Sequence, residues 1–112
     1  MEVIAKNRYA NMSPQKARLV LKHLPGKSIE DALTLLKFMT TPHAKVISKV
    51  VKSAASNAEN NFAAIPDSLY VKRAFADDSR RLKRFRPAAR GRIHPYVRRS
   101  SHITIIVEER EQ

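Results

Sequence analysis

The chain has 112 residues and a formal net charge of +12, with 22 Lys and Arg against 10 Asp and Glu. This length suits one domain, 43% hydrophobic residues are typical of a globular chain, and the absence of cysteine excludes disulfides and thiolate metal sites. No apolar run approaches the roughly 18 residues that span a bilayer, and the N-terminus lacks a secretory apolar segment, so we predict a cytoplasmic protein without a membrane partner.

The first element is a half-buried strand over residues 2–9, predicted from a weak alternation of apolar and polar residues. The alternation places Val3, Ala5 and Tyr9 on the inner side and leaves Lys6 and Arg8 outside.

Three amphipathic helices are predicted next. Ser13 caps the first, Pro14 suits its first turn, and Pro25-Gly26 ends it. The second begins at Ser28 and ends before Thr41-Pro42, and the third spans roughly residues 43–62. The residues expected to face the core are Ala17, Val20, Leu21 and Leu24 in the first helix, Ile29, Ala32, Leu33, Leu36 and Met39 in the second, and Ile47, Val50, Val51, Ala54, Ala58 and Phe62 in the third.

Two further strands are predicted at residues 68–76 and 101–109, which are rich in aromatic and β-branched residues. Their expected buried face consists of Leu69, Val71 and Phe75 together with Ile103, Ile105 and Val107. With the first strand they form a small three-stranded antiparallel sheet covered by three helices, which is an α+β fold.

A strongly basic segment, residues 79–99, connects these two strands. It contains nine of the 22 Lys and Arg and none of the 10 Asp and Glu. Because a structureless connection of this length is unusual, we predict that the strands continue outward as a protruding hairpin with a turn at residues 87–91. The single domain then consists of a core, residues 1–76 and 100–112, and an extended basic hairpin, residues 77–99.

A segment so rich in Arg and Lys, with both ends anchored, predicts nucleic-acid binding over a passive solubilising role. The histidines at 23, 43, 94 and 102 are scattered, with His102 expected to be a surface or packing residue, and Asp77-Asp78 are expected to neutralise Arg or cap the hairpin base. We therefore predict no enzyme activity, no metal and no cofactor. Two alternatives remain: a DNA-bending architectural protein with a basic β-arm, and a small basic ribonuclease, which lacks a recognisable His pair.

Three sequence segments carry a family resemblance: MSPQKARLV at 12–20, SAASNAENN at 53–61, and ARGR at 89–92 followed by RRSSHIT at 98–104. In order and spacing the chain resembles the bacterial type of the universal large-subunit ribosomal protein family number twenty-two. The resemblance implies a structural protein of the large ribosomal subunit that binds rRNA, aids assembly and lines the peptide exit tunnel with its hairpin tip.

The partners implied by this resemblance are large-subunit rRNA, neighbouring ribosomal proteins and, transiently, a nascent peptide, with no independent homo-oligomer. The tip that would face the tunnel consists of Pro87, Ala88, Ala89, Arg90 and Gly91. Two lysine-bearing helix faces, at 16–22 and 45–52, are equally compatible with phosphate contacts and with simple solvation. The residues predicted to bind rRNA are Arg8, Ser13, Lys16, Arg18, Arg80, Arg81, Lys83, Arg84, Arg86, Arg90, Arg92, Arg98 and Arg99.

Overall fold

The computed structural model of the chain describes residues 2–64, 66–79, 82–87, 89–91 and 93–109. Three helices and a three-stranded antiparallel sheet confirm the predicted α+β fold. In chain order the elements are β1 (Glu2–Ala10), α1 (Pro14–Leu21), α2 (Ile29–Phe38), α3 (His43–Phe62), β2 (Leu69–Asp78), β3 (Leu82–Pro87), β4 (Ile93–Arg98) and β5 (Ser101–Glu109).

The three-stranded sheet has the order β1-β5-β2, so the last strand in sequence is the central one. Each outer strand pairs with β5 in antiparallel register, for example Ala5 with Ile105 and Val71 with Val107. Residues 103–107 are all buried, as expected for a strand with a neighbour on each side. The helices cover one face of the sheet, where Leu21, Ile47 and Val51 join the inward residues of the strands in one hydrophobic core.

Capping side chains fix the helix starts at the predicted residues. The Ser13 hydroxyl accepts from Lys16 N at 3.3 Å, and the Ser28 hydroxyl accepts from Asp31 N at 3.2 Å. Helix α3 has the predicted bounds, but the inward position predicted for Phe62 is wrong, because this side chain is 49% exposed. The chain turns at Ala63, whose φ is +52°, and Ala64 rather than Phe62 enters the core.

A β-bulge in β2 reverses the predicted alternation of that strand. Val71 lies opposite Val107 but Arg73 lies opposite Ile106, so Lys72 is an extra residue without an opposite partner. Beyond Lys72, the inward positions belong to Ala74 and Ala76. The prediction that Phe75 shares the buried face is therefore wrong: Phe75 is half-buried opposite Thr104, on the face away from the helices.

A second bulge lies near the end of β1. Asn7 pairs with Ile103 and Ala10 pairs with Ser101, so Arg8 and Tyr9 together oppose His102. Tyr9 adopts a φ of +58° and is 59% exposed, which corrects the prediction that it shares the inner side with Val3 and Ala5. The bulge therefore turns the side chain of Tyr9 away from the core.

The outer edge of β2 is partly covered by the loop between α1 and α2. Gly26 N donates to Val71 O at 2.7 Å, and Val71 N donates to Lys27 O at 2.9 Å. Gly26 has a φ of +86°, a conformation that favours glycine. The loop therefore satisfies part of the backbone that an edge strand leaves unpaired.

The other two strands form a separate two-stranded antiparallel ladder, from Leu82 opposite Arg98 to Pro87 opposite Ile93. It follows the end of the β2-β5 pairing, where Ser79 N donates to Ser100 O at 3.2 Å. The molecule measures 67 × 26 × 17 Å, and its radius of gyration is 17.1 Å, against about 13 Å for a compact chain of this length. Within the described residues, no helix is both long and apolar enough to cross a membrane.

Candidate nucleic-acid interface

Residues 79–99, here called the basic arm, contain the β3-β4 ladder. The ladder contains Lys83, Arg84 and Arg86 in β3 and Arg98 in β4. The side chains of Lys83, Arg90 and Arg99 are exposed. Of the other predicted residues, Arg80, Arg81, Arg92 and Ala88 lie outside the described residues.

The turn between β3 and β4 has two successive residues in the left-handed region. Arg90 has φ +61° and ψ +34°, and Gly91 has φ +72°. Gly91 is the residue that the sequence indicated for this turn, and glycine adopts its positive φ readily, whereas the left-handed Arg90 carries the ordinary steric cost of a side chain there. The exposed Arg90 guanidinium is thus presented at the end of the ladder, between Ala89 and Gly91.

The four predicted residues near the N-terminus have different surroundings. Arg8 and Lys16 are exposed, and Ser13 uses its hydroxyl to cap α1. Arg18 donates from Nε and Nη2 to Ala76 O, at 3.1 and 2.8 Å, and so ties α1 to β2 two residues before the end of that strand. The structure therefore brings Arg18 to the base of the basic arm and gives it a structural contact there.

A small recess on the outer face of the sheet was not predicted from the sequence. It has a volume of about 240 Å³ and lies beside the base of the basic arm. Its lining residues come from all three strands of the sheet, and they are Lys6, Arg8, Tyr9, Asp77, His102 and Thr104. We call it the base recess.

Two aromatic rings form one wall of the base recess. The Tyr9 amide donates to Nδ1 of His102 at 3.1 Å, and the two ring centroids are 4.8 Å apart at an angle of 76°. This edge-to-face arrangement is a favourable one for aromatic rings. His102 is therefore a packing and hydrogen-bonding residue, as its strand position predicted. No sequence signal marked Tyr9 for this site, because its orientation depends on the bulge.

An ion-pair cluster lies at the opposite end of the sheet. Lys72 Nζ contacts the carboxylate of Glu2 on β1 and lies 3.1 Å from that of Glu108 on β5. The hydrogen bond from Lys72 lowers the pKa of Glu2 below its ordinary 4.5, and the hydrogen bonds to Glu2 and Glu108 raise the pKa of Lys72 to about 12. These charges link all three strands and are remote in register from the arm.

Among the described residues, no group of three or more His, Asp or Glu side chains is placed to hold a metal ion. The lysines of α3, at 45, 49 and 52, are all exposed. The described part of the chain therefore offers a basic two-stranded ladder, a charged turn at its end, and a small recess lined by charged and aromatic residues at the base of the arm.

Comparison with known proteins places these features in a family. The sequence model of ribosomal protein L22p/L17e matches residues 5–108, which include the entire basic arm. Proteins named large ribosomal subunit protein uL22 from two strains of Dehalococcoides mccartyi are each 51% identical to this chain over 109 residues, covering 97% of this chain and 100% of the relative. A protein of the same name from Thermomicrobium roseum is 47% identical over 109 residues, covering 97% of this chain and 92% of the relative.

The predicted family resemblance is confirmed by these matches, and the matching family consists of structural, non-enzymatic proteins. From the match along nearly its whole length, the chain belongs to the ribosomal protein L22p/L17e family.

Proposed function

We propose that this chain is a structural constituent of the large ribosomal subunit, in the cytoplasm, and that it binds rRNA chiefly through the basic arm and so aids assembly. The observation that carries the proposal is the match of the family over residues 5–108, in a chain whose arm has nine basic and no acidic residues. Its relatives are named large-subunit proteins. Neighbouring ribosomal proteins are then further partners of the core.

The basic arm suits a crowded RNA interior for physical reasons. A two-stranded ladder is narrow, and it distributes charge along its length instead of concentrating it in one patch. Arg guanidinium groups bind phosphate oxygens in a bidentate manner, and each neutralised phosphate releases condensed counterions. An isolated two-stranded ladder is marginally stable in water. Binding to RNA therefore supplies both the affinity and the order of the arm.

The salt dependence of rRNA binding tests this mechanism. The variant Arg84→Gln/Arg86→Gln/Arg98→Gln removes three charges from the strands of the ladder. If each contacts one phosphate, the slope of log K against log salt becomes shallower by about 2 to 3, at roughly 0.7 to 0.9 per contact. The matched control, Lys45→Gln/Lys49→Gln/Lys52→Gln, removes three exposed charges from α3. Equal slope changes in the two triple variants would contradict an arm-centred interface.

Excision of the arm tests the same proposal without relying on single contacts. Asp78 lies opposite Ser101, so replacing residues 79–100 by Asn-Gly closes β2 and β5 with a two-residue hairpin turn. We expect the core to remain folded and the affinity for large-subunit rRNA fragments to fall steeply. Competition with duplex DNA tests the architectural alternative. If the full chain prefers duplex DNA over rRNA fragments, the ribosomal proposal fails.

We further propose that residues 87–91 line the peptide exit tunnel and contact a nascent peptide transiently. The chain has no cysteine, so Ala89→Cys introduces a unique thiol at the turn. In ribosomes carrying this variant, a thiol-specific crosslinker should capture nascent chains. Ser53→Cys, on the exposed surface of α3, is the matched control. Equal capture by the two thiols would reject the tunnel assignment.

A further inference from the structure

We propose that the base recess binds one unpaired guanine nucleotide of the RNA, with the base toward Asp77 and the phosphate toward Lys6 and Arg8. This inference rests on the proposed RNA-binding function and names a site for it outside the basic arm. The recess is about 240 Å³, smaller than the roughly 300–1,000 Å³ of sites for drug-sized ligands, so it has room for one base of a nucleotide but not for a stack of bases.

The charges of the base recess match the two ends of a nucleotide. Lys6 and Arg8 are exposed on β1, and Asp77 is exposed on β2, on the far side of the central strand. Within the described part of the chain, none of these three side chains has an ion-pair partner. Two cations near a phosphate and one carboxylate near a base would supply charge-assisted hydrogen bonds at both ends.

The carboxylate selects the base. An ionised Asp only accepts hydrogen bonds, and its two oxygens match two adjacent donors. Guanine presents such a pair on its Watson–Crick edge, the N1–H and the 2-amino group, whereas adenine and cytosine present one amino group and uracil one N–H. Proteins read RNA bases on this edge when a base is splayed out of its stack. Asp77 therefore favours guanine over the other three bases.

Tyr9 supplies the aromatic surface on which such a base would stack. Its left-handed φ of +58° is sterically unfavourable for a residue with a side chain. The bulge and the hydrogen bond to His102 Nδ1 hold Tyr9 in this conformation, with the residue 59% exposed beside the recess. Backbone strain of this kind is concentrated at binding sites, and stacking on Tyr or His is a usual way of holding an unpaired base.

The test is an NMR titration of the full chain with mononucleotides at constant ionic strength. Guanosine 5′-monophosphate should shift the amides of Tyr9, Asp77 and His102. Inosine 5′-monophosphate, which lacks the 2-amino group, should bind at least about fivefold more weakly, the low end of discrimination by a bidentate base contact. Equal affinities for the guanosine, inosine and adenosine monophosphates, or shifts confined to residues outside the recess, would overturn the proposal.

Matched variants assign the contacts. Asp77→Asn should abolish the preference for guanosine over inosine monophosphate, whereas Asp67→Asn, at another exposed aspartate, should retain it. Tyr9→Gly accommodates the positive φ, so it removes the ring without adding strain, and it should weaken guanosine monophosphate binding in a folded chain. A preference that survives Asp77→Asn would also overturn the site. A negative titration would reject the base recess while leaving the proposed function intact, provided that Arg84→Gln/Arg86→Gln/Arg98→Gln still makes the salt slope for rRNA shallower.

Discussion

The contact between Arg18 and β2 gives a prediction that separates stability from RNA binding. β2 is an edge strand, so carbonyls on its outer side need partners other than a neighbouring strand. Ala76 O is satisfied by two N–H groups of Arg18, at 3.1 and 2.8 Å. Hydrogen bonds to charged groups contribute about 1.5–3 kcal/mol, and the exposure of Arg18 favours the lower end. Arg18→Met should therefore destabilise the chain by about 1.5 kcal/mol.

Thermal and urea unfolding measure this effect. For a chain of this size, a loss of about 1.5 kcal/mol lowers Tm by about 6 °C. Lys22→Met is the matched control, since it removes an exposed charge from the end of the same helix. Arg18→Lys keeps the positive charge but loses the two guanidinium donors, so its Tm should lie between those of Arg18→Met and the unchanged chain. A Tm for Arg18→Met within 1 °C of the Lys22→Met value would refute a structural role for this contact.

Three further predictions concern other parts of the chain. Ser13→Ala removes the cap of α1 and should cost about 1 kcal/mol in urea unfolding, whereas Ser53→Ala, on the exposed face of α3, should not destabilise; equal losses would contradict the cap. In Gly91→Ala the added Cβ meets no atom within 4 Å, so the destabilisation of about 1 kcal/mol comes from the positive φ alone. Hydrogen exchange of the amides in β3 and β4 should become faster while exchange in the core stays unchanged. Unchanged exchange throughout the chain would argue against this prediction. The free energy of unfolding should fall as pH drops below 4.5, where Glu2 with its lowered pKa becomes protonated, and again as pH rises above 10.5 through about 12, where Lys72 loses its proton. Lys72→Met should remove the alkaline decrease and weaken the acidic one. Identical pH profiles of stability for the variant and the unchanged chain would contradict the ion-pair cluster.

The helices could be predicted closely because their signals are local. Ser13 and Ser28 cap helices at the residues that the sequence indicated, and α3 spans His43–Phe62 as the periodicity required. The positions of β2 and β5 followed from their β-branched and aromatic content. In each case the residues that determine the element lie within it or directly beside it in sequence.

The bulges could not be predicted because they depend on pairing between distant strands. Nothing near Lys72 marks it as an extra residue, yet it reverses the alternation and moves Phe75 to the outer face. Tyr9 occupies a left-handed position without being Gly, Asn or Asp, the residues that usually signal one. A one-residue shift changes which side of a sheet every later residue belongs to, so local alternation fails beyond it.

The candidate interface divides in the same way. The basic arm was evident from the sequence because its charges are contiguous and lie between two strands. The base recess was hidden because Lys6, Asp77 and His102 come from three strands and meet only through the register of the sheet. A run of charge can thus be recognised from the sequence alone, whereas a site formed by residues of several strands can be recognised only when the register of strand pairing is known.

The base of the arm is held independently of the arm itself. Arg18 fixes Ala76 from α1, Tyr9 packs against His102 on the outer face, and Asp77 pairs with His102 in the sheet. All of these contacts precede the first β3-β4 pair, Leu82 with Arg98, so they do not require the ladder. The chain with residues 79–100 replaced by Asn-Gly should therefore lose most of the salt-dependent affinity for rRNA while still binding guanosine monophosphate at the base recess. Loss of both activities on excision would mean that the recess depends on the arm for its shape, whereas loss of neither would mean that the charge of the arm is not the source of affinity.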